Sequence, residues 1–203
     1  MTSPPYVVLV PVKAPTIAKS RLALTAGRRA AYARAFALDT IQAARAVPEV
    51  AEVVVVSSDG AFADAAADAG VRTVPDAGDL NESLRAAARA VRSRHPAALV
   101  VALTADLPSL SPGDLAAGLA ELRGSGPWFV ADADGQGTTL YAASYDAFDP
   151  HFGVDSRRAH LAAGAREVRG DLPSLRRDVD RTEHLEDARR LGLGEHTTAT
   201  DHR

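Results

Sequence analysis

The stretch Ala98-Leu-Val-Val-Ala-Leu-Thr-Ala-Asp106-Leu-Pro108 decides how this chain is read. Its apolar run has the composition of a strand buried on both faces, and Pro108 stops any continuation. The strand runs directly into a carboxylate, Asp106. In open α/β sheets ligands collect at the carboxyl edge of the strands, so an acid there is placed to meet one. Far downstream, Asp178-Val-Asp180 offers a second acidic site, and in an extended stretch its two acids share one face. Hard oxygen ligands from few side chains, completed by phosphate and water, are what Mg²⁺ requires. Asp106, Asp178 and Asp180 are therefore candidate metal ligands. Taken singly, each acid also reads as a turn or cap residue.

Outward from that strand the pattern alternates. Upstream, Tyr6–Val12 reads as a buried strand, Gly27–Val47 as a helix ended by Pro48, and Val53–Val56 as a second buried strand. A short helix (Ala61–Ala69), a strand (Val71–Val74) and a helix (Leu80–Arg94) follow, the last with Asp79 or Asn81 as N-cap. Downstream, Ser111-Pro-Gly-Asp114 opens a helix with Ser111 as cap and Pro112 at its first position. Trp128–Ala131 and Thr138–Ala142 flank an Asp-Gly-Gln-Gly turn and read as a hairpin. Arg157–Gly164 reads as a helix, and Thr182 as the cap of a helix through Leu191. Alternating strands and helices predict a parallel α/β sheet, made mixed by the hairpin. We expect one domain over residues 1–192, with 193–203 a disordered tail.

Bulk composition narrows the function. The chain has 203 residues, is 46% hydrophobic and 24% charged, and carries a net charge of -3. That charge gives no electrostatic reason to expect nucleic acid or an anionic membrane as partner. Without cysteine there is no disulfide, thiolate zinc site or cysteine nucleophile. No run approaches the ~18 apolar residues of a membrane span. With no signal peptide legible at the start, a cytoplasmic protein is expected.

Several loops carry further candidate chemistry. Lys13, Lys19 and Arg21 cluster in the loop after the first strand, where cations and backbone amides suit a polyphosphate and Lys19 could neutralise a leaving pyrophosphate. The loop lacks the glycines of a Walker or dinucleotide motif, and by composition it is equally a solvated basic loop. Gly135-Gln-Gly137-Thr138-Thr139 and Phe152-Gly153-Val-Asp-Ser156 are small-residue loops able to hold a carboxylate, or simply turns.

Taken in order, Leu9-Val-Pro-Val-Lys13, Lys19-Ser-Arg21-Leu22, Leu80-Asn81-Glu82-Ser83-Leu84, Thr104-Ala-Asp106-Leu-Pro108, Gly137-Thr138-Thr139, Phe152-Gly153-Val-Asp-Ser156 with His160, and Asp178-Val-Asp180 form a set. The set resembles the 2-phospho-L-lactate/phosphoenolpyruvate guanylyltransferase family, which serves the synthesis of the deazaflavin coenzyme F(420), over about residues 6–192. The resemblance implies a single-domain Rossmann-like mixed sheet of the nucleotidyltransferase, glycosyltransferase-A-like fold. It implies Mg²⁺ on Asp106 and Asp178, with Asp180 helping through water or a second ion. Thr138, Gly153 and Ser156 match the positions that hold the acid's carboxylate. Lys13 and Lys19 match the nucleotide-phosphate loop, with Asp106 and Lys19 catalytic, and Asn81, Glu82 and Ser83 match the base- and ribose-facing loop. His160 fits the pattern, although a helical histidine is more often a packing or surface residue. The implied substrates are GTP and phosphoenolpyruvate or 2-phospho-L-lactate (or 3-phosphoglycerate), with the next transferase of the pathway as a partner. More remote readings are a molybdenum-cofactor or sugar-phosphate nucleotidyltransferase and a non-catalytic nucleotide-binding regulator.

Overall fold

The computed structural model describes residues 5–13, 22–122, 124 and 126–202. Strands β1 (Tyr6–Pro11), β2 (Val50–Val56), β3 (Arg72–Val74) and β4 (Leu99–Leu103) pair in parallel. Their side chains alternate between two cores. Val8 and Val10 pack with Ile41, Leu115 and Leu119 on one face, while Val7 and Leu9 pack with Leu84, Ala87 and Val91 on the other. Covering both faces is why these strands read as continuous apolar runs.

β5 (Trp128–Ala131) and β6 (Thr138–Ser144) form the expected hairpin, and β7 (Arg166–Glu167) lies parallel to β5. The seven strands are ordered β3-β2-β1-β4-β6-β5-β7. β6 runs antiparallel to β4, so its first residues lie beside the last residues of β4. Leu103 pairs with Leu140, and the Thr104 amide donates to the Thr139 carbonyl at 2.9 Å. The sheet edge that carries Asp106 therefore also carries Thr138.

The longer helices follow their apolar stripes and caps. α1 (Ala26–Arg45) starts at Thr25, α2 (Gly60–Asp68) at Asp59 and α3 (Leu80–Val91) at Asp79. Asp79, and not Asn81, is the cap of α3: its carboxylate accepts from the Glu82 amide at 3.0 Å. Leu84, Ala87, Ala88 and Val91 recur at helical spacing and bury one face of α3, with roughly 1.5–3 kcal/mol for each large side chain so buried. Ser111 caps α4 (Pro112–Ala120) as read, but Asp114 does not complete a capping box; its Oδ2 accepts from the amide and hydroxyl of Ser174.

The C-terminal third departs from expectation in several places. α5 (Ser156–Ala162) is followed by α6 (Pro173–Arg176), a single turn too short to leave a periodic signature. Thr182 is the first residue of α7 (Thr182–Leu191) and not its cap; its hydroxyl accepts from the Ala23 amide at 3.4 Å. The tail expected to be disordered instead forms α8 (Glu195–Asp201). The buried Asp39 carboxylate on α1 accepts from the His196 and Thr197 amides at 2.9 and 2.8 Å, and Arg189 and Tyr32 both bind Asp201. This helix is ordered by capping from a distant element and not by an apolar stripe of its own, which local sequence cannot reveal. Among the described residues no helix is long and apolar enough to cross a membrane.

Candidate active site

Beyond β4 the chain turns at Asp106 and is held there. The Leu107 amide donates to Thr40 Oγ1 at 3.2 Å, and the Pro108 carbonyl accepts from the Gly194 amide at 2.8 Å. The acidic segment is brought alongside by one backbone bond, from the Val179 amide to the Asp106 carbonyl at 3.0 Å. Val179 is fully buried with Leu22, Tyr32, Phe36, Leu185 and Ala188. With Val179 turned into that cluster, alternation places Asp178 and Asp180 on the opposite side. One carboxylate oxygen from each of Asp106, Asp178 and Asp180 lies within 4.8 Å of the others. An all-oxygen set of this kind suits a hard divalent cation such as Mg²⁺ or Mn²⁺.

A cleft of about 260 Å³ opens at this point, lined by Pro11, Lys13, Leu80, Thr104, Asp106 and Asp180. Lys13 is exposed at its rim. Lys19 and Arg21 lie outside the described residues. The other expected nucleotide-facing side chains are engaged within the protein. Asn81 pairs with the backbone of Phe152 in both directions, Nδ2 to the carbonyl at 3.0 Å and the Phe152 amide to Oδ1 at 2.8 Å. Glu82 binds Arg85 and Arg89 at 3.2 and 2.7 Å on the surface. Ser83 is buried; its hydroxyl contacts Asp76 and the Asp79 carbonyl and accepts from the Ala77 amide. These bonds let it shape the loop before α3. The Ser83 hydrogen bond is the main reason the Asp76 carboxyl sits below its ordinary range, with Lys13 adding to the effect.

The two small-residue loops meet at the same edge. The Arg157 amide donates to the Gln136 carbonyl at 3.1 Å, tying the start of α5 to the β5–β6 turn. That turn is organised by Asp132, whose carboxylate accepts from the Gln136 and Gly137 amides at 2.9 and 2.8 Å. A Cβ at Gly137 would strike the same carboxylate, which would have to shift from its bonds to the turn. Gly153 has φ 138°, a conformation that side chains rarely adopt, and sets the reversal into α5. Thr138 and Ser156 are both buried, and Thr138 Oγ1 lies 3.0 Å from Nδ1 of a wholly buried His160. Burial, with His151 nearby, pushes the His160 pKa down to about 4.

Comparison with known proteins gives the family of the chain. The family profile described as guanylyl transferase CofC like matches residues 6–172. The chain belongs to the CofC-like guanylyltransferase family. Relatives include proteins named phosphoenolpyruvate guanylyltransferase from Salinispora arenicola, 46% identical over 95% of this chain and 91% of theirs, and from Streptomyces coelicolor, 44% identical over 96% and 94%. Among solved structures, a nucleotidyl transferase from Methanothermobacter thermautotroptrophicus superposes with a TM-score of 0.65 at 18% identity, covering 92% of this chain and 97% of that one. A Mycobacterium tuberculosis protein solved in complex with manganese gives 0.57 at 21% identity, over 94% and 98%. The CofC-like chain thus has the nucleotidyltransferase fold and is a transferase. Asp132, Thr40 and Arg176, which supports the segment before Asp178 by bonding the Ala131 and Val168 carbonyls, were not singled out from sequence. Only the Asp-x-x-Gly turn around Asp132 left a readable trace.

Proposed function

We propose that this protein transfers GMP from GTP to phosphoenolpyruvate, yielding enolpyruvyl-diphospho-guanosine and diphosphate for coenzyme F(420) synthesis. The observation that carries this reading is the convergence of the Asp106, Asp178 and Asp180 oxygens within 4.8 Å at the sheet edge that also bears Lys13 and Thr138. The names borne by relatives that are 41–46% identical favour phosphoenolpyruvate as the acid.

Asp106 and Asp178 would hold Mg²⁺, with Asp180 acting through water or a second ion. Bound there, the cation offsets the mutual repulsion of the two phosphates that must meet. Thr138, Gly153 and Ser156 hold the acid's carboxylate, leaving its phosphate free to reach the α-phosphorus of GTP. A phosphate oxygen forms the new bond to that phosphorus, the bond to the β-phosphate's bridging oxygen breaks, and diphosphate leaves with the electron pair. The attacking oxygen is already ionised near neutral pH, so no side chain has to remove a proton. Catalysis then consists of positioning and charge neutralisation, with Lys13 and Lys19 on the departing diphosphate.

The test is diphosphate release from GTP and Mg²⁺ with phosphoenolpyruvate, 2-phospho-L-lactate or 3-phosphoglycerate in separate reactions. Release is expected with phosphoenolpyruvate and is expected to stop on chelation of the metal. Release with 2-phospho-L-lactate alone would reassign the acid, and silence with all three would remove the reading.

A further inference from the structure

His160 is 0% exposed, yet its ring is not simply filler. It stacks on Tyr141 and Phe129, with centroids 4.8 and 5.5 Å away, and meets the edge of Phe152 at 5.5 Å. Both ring nitrogens have polar neighbours. The His151 backbone amide donates to Nε2 at 2.9 Å. A backbone N–H can only donate, so Nε2 must carry a lone pair, and the proton of the neutral ring resides on Nδ1. That nitrogen is the one 3.0 Å from Thr138 Oγ1. The Nδ1–H therefore faces the threonine oxygen, with the Ser156 backbone also within its reach, and Nδ1 cannot accept the hydroxyl proton.

A threonine hydroxyl has one proton and two lone pairs. Because Nδ1 carries its own proton, the hydroxyl proton of Thr138 is left for another acceptor. A carboxylate is an acceptor only. The opposite tautomer would take the hydroxyl proton and turn only lone pairs toward the acid, which repels an anion.

We infer that His160 is a positioning residue for the acid pocket: locked as its Nδ1–H tautomer by the His151 amide, it makes Thr138 present a proton to the substrate carboxylate. The inference rests on the acid site proposed above. Neutrality of the ring supports it, since burial holds His160 well below the pH of the assay. The same imidazole also pins the loop at His151, next to the Phe152 backbone that Asn81 holds.

Two substitutions separate this from a packing role. Asparagine places its amide nitrogen near the position of Nδ1 and keeps a donor to Thr138. Glutamine reaches the position of Nε2 and keeps only the bond to His151. His160→Gln is expected to raise KM for phosphoenolpyruvate about tenfold while KM for GTP stays within about twofold, and His160→Asn to restore most of the loss. In a Thr138→Val background, His160→Gln is expected to add nothing further. Equal effects of the two variants, or equal shifts in both KM values, would overturn the inference while wild-type turnover left the proposed function standing. No turnover by the wild type with phosphoenolpyruvate would remove both. Heteronuclear NMR of the wild-type imidazole needs no substitution and covers the case of a misfolded variant: a proton on Nδ1 is expected at neutral pH, and a proton on Nε2 overturns the inference.

Discussion

Val179 lies between two acids and is fully buried, whereas Asp178 and Asp180 face Asp106. One apolar side chain thus orients two charged ones, because an extended backbone sends neighbouring residues to opposite sides. The turn at Asp106 is fixed through its backbone carbonyl and the next amide. Asp106→Asn preserves the shape and removes the charge. It is expected to lower turnover by at least about a hundredfold while circular dichroism and the thermal midpoint stay near wild type. Retained turnover would show that the metal is held elsewhere. The three acids were legible in sequence because each sits in a recognisable context. The engagement of Asn81 with Phe152 and of Ser83 with Asp76 was not, since the loops that receive them are placed by the fold.

Helix α8 exists through what other elements supply to it. Asp39 caps its first amides from α1, and Arg189 on α7 and Tyr32 on α1 hold its last residue, Asp201. The Gly194 amide just before it bonds the Pro108 carbonyl, so the C-terminal segment also braces the turn after Asp106. Asp39→Ala removes two hydrogen bonds at a buried cap, and the expected loss is about 1–2 kcal/mol in urea unfolding. Hydrogen exchange in residues 195–201 should quicken at the same time. An unchanged urea midpoint would show that α8 is held by packing alone. In sequence the segment reads as a tail; it has no apolar face of its own, and the stabilising carboxylate lies in a distant helix.

For the whole molecule, the acid limb of stability has an assignable component. The ordinary His160 value of 6.5 falls to about 4 in the fold, mainly through burial. Between these values the unfolded chain binds a proton that the native chain does not, so stability rises with pH across that interval. The His160 contribution is present in full above about 6.5 and is lost progressively as pH falls toward 4. Asp201, lowered to about 2 chiefly by its bond with Arg189, acts the same way only below its ordinary 3.8. Urea unfolding at a series of pH values should show a shallower acid slope for His160→Asn than for the wild type between pH 6.5 and 4. Parallel slopes would show that the histidine does not titrate as described.

The alternation of apolar runs with helical stripes is local chemistry, and it was enough to specify strands, helices, the hairpin and an acid at a strand's end. Residues within a turn or two of one another set those patterns, so a linear reading captures them. Which loops meet at the sheet edge depended on strand order, above all on β6 running back beside β4. The convergence of Asp178 and Asp180 on Asp106, the tautomer of His160 and the ordering of α8 arise from hydrogen bonds between segments distant in the chain. Such bonds leave no period in the sequence, because their geometry exists only once the two cores have closed around the sheet.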